Sequence, residues 1–150
     1  MILYTVHPKP YLKLKSIATL IDYGIYFIVF YIYVCVFNEN PGSGDRVVTN
    51  GMTLPLVLFW FIYFVLIEAF NQATVGHDIC KLRVFKEDAS KPPLGDIFKR
   101  RLLDPIDIFF YGIPAFICIS KTPKHQRIGD IWAGTVVVKI SDITKKEVIF

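Results

Sequence analysis

At 150 residues the chain has the length of a single domain. Hydrophobic residues make up 53%, aromatics 15% and charged residues only 20%, with a mean hydropathy of +0.45, which leaves too little polar side chain to coat a water-soluble fold of this size. The net charge of +4 does not point to nucleic acid, because the basic residues flank apolar runs instead of forming one patch.

Residues 1–16 carry Lys9, Lys13 and Lys15 with Pro8 and Pro10. The apolar run that follows is too long for the apolar region of a signal peptide and lacks a small-residue cleavage site, so it is expected to be retained as an anchor. Residues 17–37 form that run, and Asp22 is its one strongly ionisable residue. About 20 apolar residues at 1.5 Å rise cross a hydrocarbon core of about 30 Å. Its β-branched and aromatic content would also suit a strand, but single strands are rarely so long.

Residues 38–51 are a polar loop with turn residues Pro41, Gly42 and Gly44, short enough to make the flanking helices antiparallel neighbours. Residues 52–70 are a second spanning helix, with Pro55 tolerable in the first turn and Glu68 as its one charge near the end. Residues 71–101 are polar and basic, with a short strand at 82–85, a turn at 90–93 and Asp96 as the expected cap of the next helix. Residues 102–119 are a third apolar segment, broken by Pro105, Gly112 and Pro114 and carrying Asp104 and Asp107. The tail returns to charged sequence, with a second short strand at 135–139.

Lysine and arginine set orientation. The N-terminal segment holds three, the first loop only Arg46, and the second loop seven. This places the N-terminus and second loop in the cytoplasm. A full crossing by residues 102–119 would put six further bases outside: Lys121, Lys124, Arg127, Lys139, Lys145 and Lys146. The expectation is therefore a re-entrant or interfacial segment and a cytoplasmic tail, since broken backbone is tolerated at membrane depth where protein or water satisfies it. The strand at 82–85 can then pair with 135–138 in a small cytoplasmic sheet. The fold class expected is an all-α membrane protein: a two-helix transmembrane hairpin, a broken third segment and a small β pair, in one domain.

An ionised Asp near the bilayer centre costs roughly 3 kcal/mol. In an antiparallel hairpin Asp22 and Glu68 fall at one depth, in the cytoplasmic third, which makes them a candidate cation or proton site. Each has a plainer alternative: Asp22 as a helix-bundle anchor, Glu68 as a solvated helix-end charge. Asp104 stands at salt-bridge spacing from Arg100 and Arg101. Asp107 has no such local partner and joins the candidate ion-binding set.

Cys35, Cys80 and Cys118 form no CxxC pair, and an odd count argues against a disulfide framework. Cys35 and Cys118 read as small core hydrophobes. His7, His77 and His125 lie too far apart in sequence for a zinc pattern. No GxSxG, HExxH, P-loop or GxGxxG occurs, so no enzyme chemistry and no cofactor are expected. His125, beside Lys124, reads as part of a solvated turn.

Two stretches, KSIATLID and QRIGDIWAGTVVVK, with NQATVGHDICKLRVF and the Arg100–Arg101 pair between them, resemble the RDD family of bacterial membrane proteins over roughly residues 13–139. The resemblance matches Asp22 to the aspartate of the first helix and Asp130 to a second characteristic aspartate. Lys15 stands where the family has its arginine, which keeps charge but loses the bidentate fork. The family's basic pair after the TxG glycine is here His77 and Asp78. The resemblance implies a transport role, with cation/proton antiport associated with some members of the family, and supplies no substrate. The residues themselves give Arg127, Gly129, Asp130 and Gly134 a local reading: a tight turn, close backbone approach, and a cap or bridge from Asp130 to Arg127 at i+3.

The function expected is movement of a small ion or solute through the bacterial inner membrane. Two helices cannot enclose a path, so a homo-oligomer or a larger membrane-protein partner is implied, with the lipid bilayer as surroundings. The alternative is a non-transporting accessory subunit of a larger complex.

Overall fold

A computed structural model describes residues 2–39, 42, 44, 47–48, 50–109 and 112–147. The expected turn residue Pro41 and the first-loop base Arg46 lie outside these. The chain is mostly helical, 64%, with two small β pairs.

Strand β1 (Ile2–Val6) leads through Pro8 and Pro10 to Tyr11, whose left-handed backbone (φ 40°) starts helix α1 at Leu12. Helix α1 (Leu12–Val36) thus begins five residues before the expected start at 17 and takes in Lys13 and Lys15. Its buried residues are Lys15, Ala18 and Asp22, one narrow stripe at i, i+3 and i+7. The rest of the surface is apolar and open, with Leu20 76%, Ile28 62% and Val36 68% exposed. Cys35, expected in a core, lies on this exposed surface, because the end of α1 beyond Asp22 has few neighbours to bury it.

Helix α2 (Gly51–Asn71) opens with a 3-10 turn and takes Pro55 in its first α-helical turn. A π-helical stretch, Phe61–Leu66, interrupts it. The wider turn rotates the face that follows, so that Tyr63, Phe64 and Val65 are all buried ahead of Glu68. Gln72, left-handed at φ 59°, ends the helix. Both α1 and α2 are long and apolar enough to cross a membrane.

Helix α3 (Val75–Ile79) leads to β2 (Leu82–Lys86). Helix α4 (Leu94–Leu102) starts after Pro93, not under an Asp96 cap. Asp96 instead pairs with Lys86 at 3.1 Å. The third apolar segment divides into α5 (Asp104–Phe109) and α6 (Ile113–Lys121). Pro105 sits in the first turn of α5, and Gly112 (φ 79°) with Pro114 starts α6. Helix α7 (Ile128–Ala133) ends at Gly134 (φ 62°), followed by β3 (Thr135–Lys139) and β4 (Ile143–Glu147).

The expected pairing of the inner strands is present: β2 and β3 are antiparallel, Leu82 opposite Lys139 and Lys86 opposite Thr135. The second pair, β1 with β4, was not expected from sequence and joins the two ends of the chain. A two-stranded pair needs packing to persist. Here Leu82, Val84 and Val137 form one cluster with Ala18, Val65, Ala69 and Ile97, which seats the inner pair against α1, α2 and α4.

Candidate functional site

Asp22 is 1% exposed and accepts hydrogen bonds on both oxygens. Oδ1 takes the Gly76 N–H at 2.7 Å and the Tyr63 hydroxyl at 3.1 Å. Oδ2 takes the Thr74 hydroxyl at 2.5 Å, with His77 Nδ1 3.4 Å away. So many donors fit an acceptor-only, ionised carboxylate. Thr74 precedes α3 in extended conformation, but its side chain does not cap that helix; it turns to Asp22 instead. Its single hydroxyl proton goes to Asp22, so its oxygen is left to accept from His77 Nδ1 at 2.8 Å. That fixes the imidazole proton on Nδ1. His77 is 3% exposed. Burial pushes its pKa below the usual histidine value, with the Asp22 hydrogen bond opposing.

A second assembly lies beside the first. Glu68, fully buried, pairs with Arg100 through one oxygen and with Arg101 Nε through the other at 2.7 Å. Arg100 also pairs with Asp130. Arg101 reaches Asp104 at 2.9 Å, and the Tyr23 hydroxyl of α1 donates to the same Asp104 oxygen at 2.9 Å. Arg127 lies 3.2 Å from the other Asp104 oxygen and 3.7 Å from Asp130. Burial disfavours the charge on Asp104 and Asp130, but the arginines outweigh it and hold both carboxyls below the usual range. Burial also works against Arg127, and Asp104 and Asp130 more than offset it, raising its pKa.

Lys15 Nζ donates to the His125 carbonyl at 2.7 Å, so it anchors α1 to the turn before α7. His125 is part-buried, left-handed at φ 52°, with Nδ1 2.8 Å from the Ile119 carbonyl. It belongs to this packed turn and is not the solvated residue expected. Arg127 and Asp130 make the expected i+3 contact: the Arg127 N–H donates to Asp130 Oδ2 at 3.2 Å. Gly129 lets α7 press on α4, since a Cβ there would stand 2.5 Å from the Arg100 carbonyl.

The structure therefore does not join Asp22 and Glu68 in one carboxylate pair. Asp22 belongs with α3, Glu68 with the arginines. Nor is Glu68 a solvated helix-end charge, because α4 lays both arginines over it. Arg100 is taken by Glu68 and Asp130, so the Asp104 pairing falls to Arg101 and Arg127. Among the described residues no group of three or more His, Cys, Asp or Glu is placed to hold a metal ion. Asp107 is 1% exposed, and neither carboxyl oxygen makes a well-formed hydrogen bond.

Sequence reasoning missed Thr74, Gly76, His77, Tyr63 and Tyr23. The TVGHD stretch held the signal for the first three. The tyrosines carried none, because every apolar run here is rich in aromatics.

No curated protein and no solved structure matches the chain. A family model described as RDD family matches residues 16–134. The match takes in Asp22, Glu68, both arginines, Asp104, Asp107 and the whole α7 turn, and begins just after Lys15. The chain that carries this buried set of acids and bases belongs to the RDD family.

Proposed function

We propose that this chain is a multi-pass protein of the bacterial inner membrane that moves a small cation or proton as a homo-oligomer. The open apolar surface of α1 and the length of both long helices support lipid as their surroundings. The strand pairings support one side for both ends: β2 and β3 flank the third apolar segment, so that segment makes no single crossing, and β1 lies beside β4. The lysine and arginine distribution makes that side cytoplasmic.

One observation carries the transport reading. Among the described residues the buried set holds five carboxylates, Asp22, Glu68, Asp104, Asp107 and Asp130, against four cationic side chains, Lys15, Arg100, Arg101 and Arg127, and one histidine, His77, whose pKa burial lowers toward the neutral form. Four cations cannot neutralise five buried anions. A low-dielectric site with that imbalance takes up one proton or one cation. Two helices enclose no path, so the route lies between protomers. The reading involves no enzymatic step.

A second reading is an accessory subunit that transports nothing. It is favoured by the pairing of three of the five carboxylates with arginines and the hydrogen bonding of a fourth, Asp22, which is what a structural clasp would show.

Flux separates the two. The purified protein is reconstituted in liposomes and proton movement driven by a cation gradient is recorded, for wild type, Asp22→Asn and Asp107→Asn. Transport predicts flux in wild type and its loss in at least one variant. Absence of flux in wild type, with a partner protein co-purifying in mild detergent, sinks transport in favour of the subunit reading. A single cysteine at Ser141 in a chain without the native cysteines tests topology; labelling only from outside overturns the cytoplasmic tail.

A further inference from the structure

We propose that Asp107 is a proton-binding site, occupied by its proton in the folded protein at neutral pH. This deepens the transport reading by assigning the extra charge to one carboxyl.

The geometry singles Asp107 out. Of the five buried carboxyls it alone has neither oxygen in a well-formed hydrogen bond. Asp22 has several donors. Glu68 has two arginines, Asp104 has Arg101 and Tyr23, and Asp130 has Arg100 and the Arg127 backbone. The Gly129 backbone N–H lends the carboxylate a little support, the smallest of the influences on it. A buried carboxylate so poorly supplied with donors loses its hydration and gains little back, whereas a neutral carboxyl in the same place loses far less.

The charged neighbours do not reverse this. From its own helix Asp104 faces it, a like charge. From α7 come Arg127, which favours the carboxylate, and Asp130, which opposes it. From α6 the nearby titratable group is Cys118, a neutral thiol whose pKa burial and Asp107 both push up. Arg127 is already committed to Asp104 and Asp130. Burial is the largest influence, and the Asp107 pKa is raised.

Proton release is a simple step. The Asp107 O–H bond breaks, the proton passes to solvent water, and the carboxylate is left to compete with Asp104 for Arg127.

Infrared spectroscopy of the full chain in lipid vesicles tests the site without any flux measurement. At neutral pH the wild type should show the carbonyl absorption of a protonated carboxyl, and Asp107→Asn should lose it. The exposed-carboxyl variant Asp78→Asn should keep it. If Asp107→Asn does not fold, Asp107→Glu should retain the absorption at a shifted frequency. Absence of the absorption in wild type at neutral pH, its persistence in Asp107→Asn, or coincident wild-type and Asp107→Glu spectra would each overturn the assignment. A protonated Asp107 in a protein without flux leaves the site standing and removes transport.

Discussion

Gly76 donates its backbone N–H to Asp22 Oδ1 at 2.7 Å, and the place a Cβ would occupy is already filled, with Asp22 Cγ 2.8 Å away and the Ala18 carbonyl closer still. This contact holds the first long helix to the segment that follows the second. Only a residue without a side chain lets the two backbones come so near.

Gly76→Ala should therefore push α3 away from α1. The expected loss is about 1–3 kcal/mol, the usual cost of overpacking, with a larger loss if the Asp22 hydrogen bonds break too. Thermal unfolding in detergent reads it. An unchanged midpoint would mean that the approach is looser than described.

Glu68→Gln leaves Arg100 and Arg101 facing each other with no carboxylate between them. Breaking a buried ion pair from one side costs about 3–5 kcal/mol. Lys9→Ala removes the Lys9–Asp142 pair, whose lysine side chain is 58% exposed, and should cost about 1 kcal/mol or less. Equal midpoints for these two variants would contradict the burial of Glu68.

His77 gives the protein an acid sensitivity. Burial lowers its pKa in the folded state, while the unfolded chain titrates near 6.5. Between the lowered folded pKa and about 6.5 the unfolded state binds more proton, so this contribution to stability is complete above about pH 6.5 and declines as pH falls. The unfolding midpoint of wild type should drop relative to His77→Gln as pH is taken from about 7.5 to 5.5. His7 and His125 are present in both proteins and cancel in the comparison. Parallel pH profiles would rule out a buried neutral His77.

Asp107 acts with the opposite sign. A carboxyl with a raised folded pKa binds its proton more tightly when folded, so stability declines as pH rises from the unfolded value, about 4, through the folded one. Asp107→Asn should remove that decline and be relatively more stable at alkaline pH than wild type, as measured by midpoints in buffers from about pH 4 to about pH 9.

Gly129→Ala and Gly95→Ala form a matched pair. A Cβ at Gly129 would meet the Arg100 carbonyl at 2.5 Å, and one at Gly95 meets nothing within 4 Å. The first should cost about 1–3 kcal/mol. The second, within α4, should be neutral or gain up to about 1 kcal/mol from helix propensity. A reversed order would mean that α7 does not press on α4.

Much of the fold was legible because its signals are local. Two apolar runs of spanning length marked α1 and α2. Pro105, Gly112 and Pro114 marked the breaks in the third segment, and short apolar runs within polar sequence, around Val84 and over residues 136–138, marked β2 and β3. The start of α1 was misread because Lys13 and Lys15 look like the end of an apolar run, although a lysine with a buried stem and a carbonyl partner continues a helix easily. The β1–β4 pair joins opposite ends of the chain, and no local pattern encodes such a partner.

The sequence by itself determined that acids and bases would lie inside or beside apolar helices, because residue type and run length are properties of the chain alone. It could not assign their partners. Asp22 and Glu68 both lie in the two long apolar helices, yet one meets hydroxyls and a backbone N–H, and the other two guanidinium groups. That choice rests on how α3, α4 and α7 pack across α1 and α2. Hydrogen bonds need donor and acceptor within about 3 Å of each other, so only the tertiary structure decided which carboxyls are satisfied and which one, Asp107, is left to hold a proton.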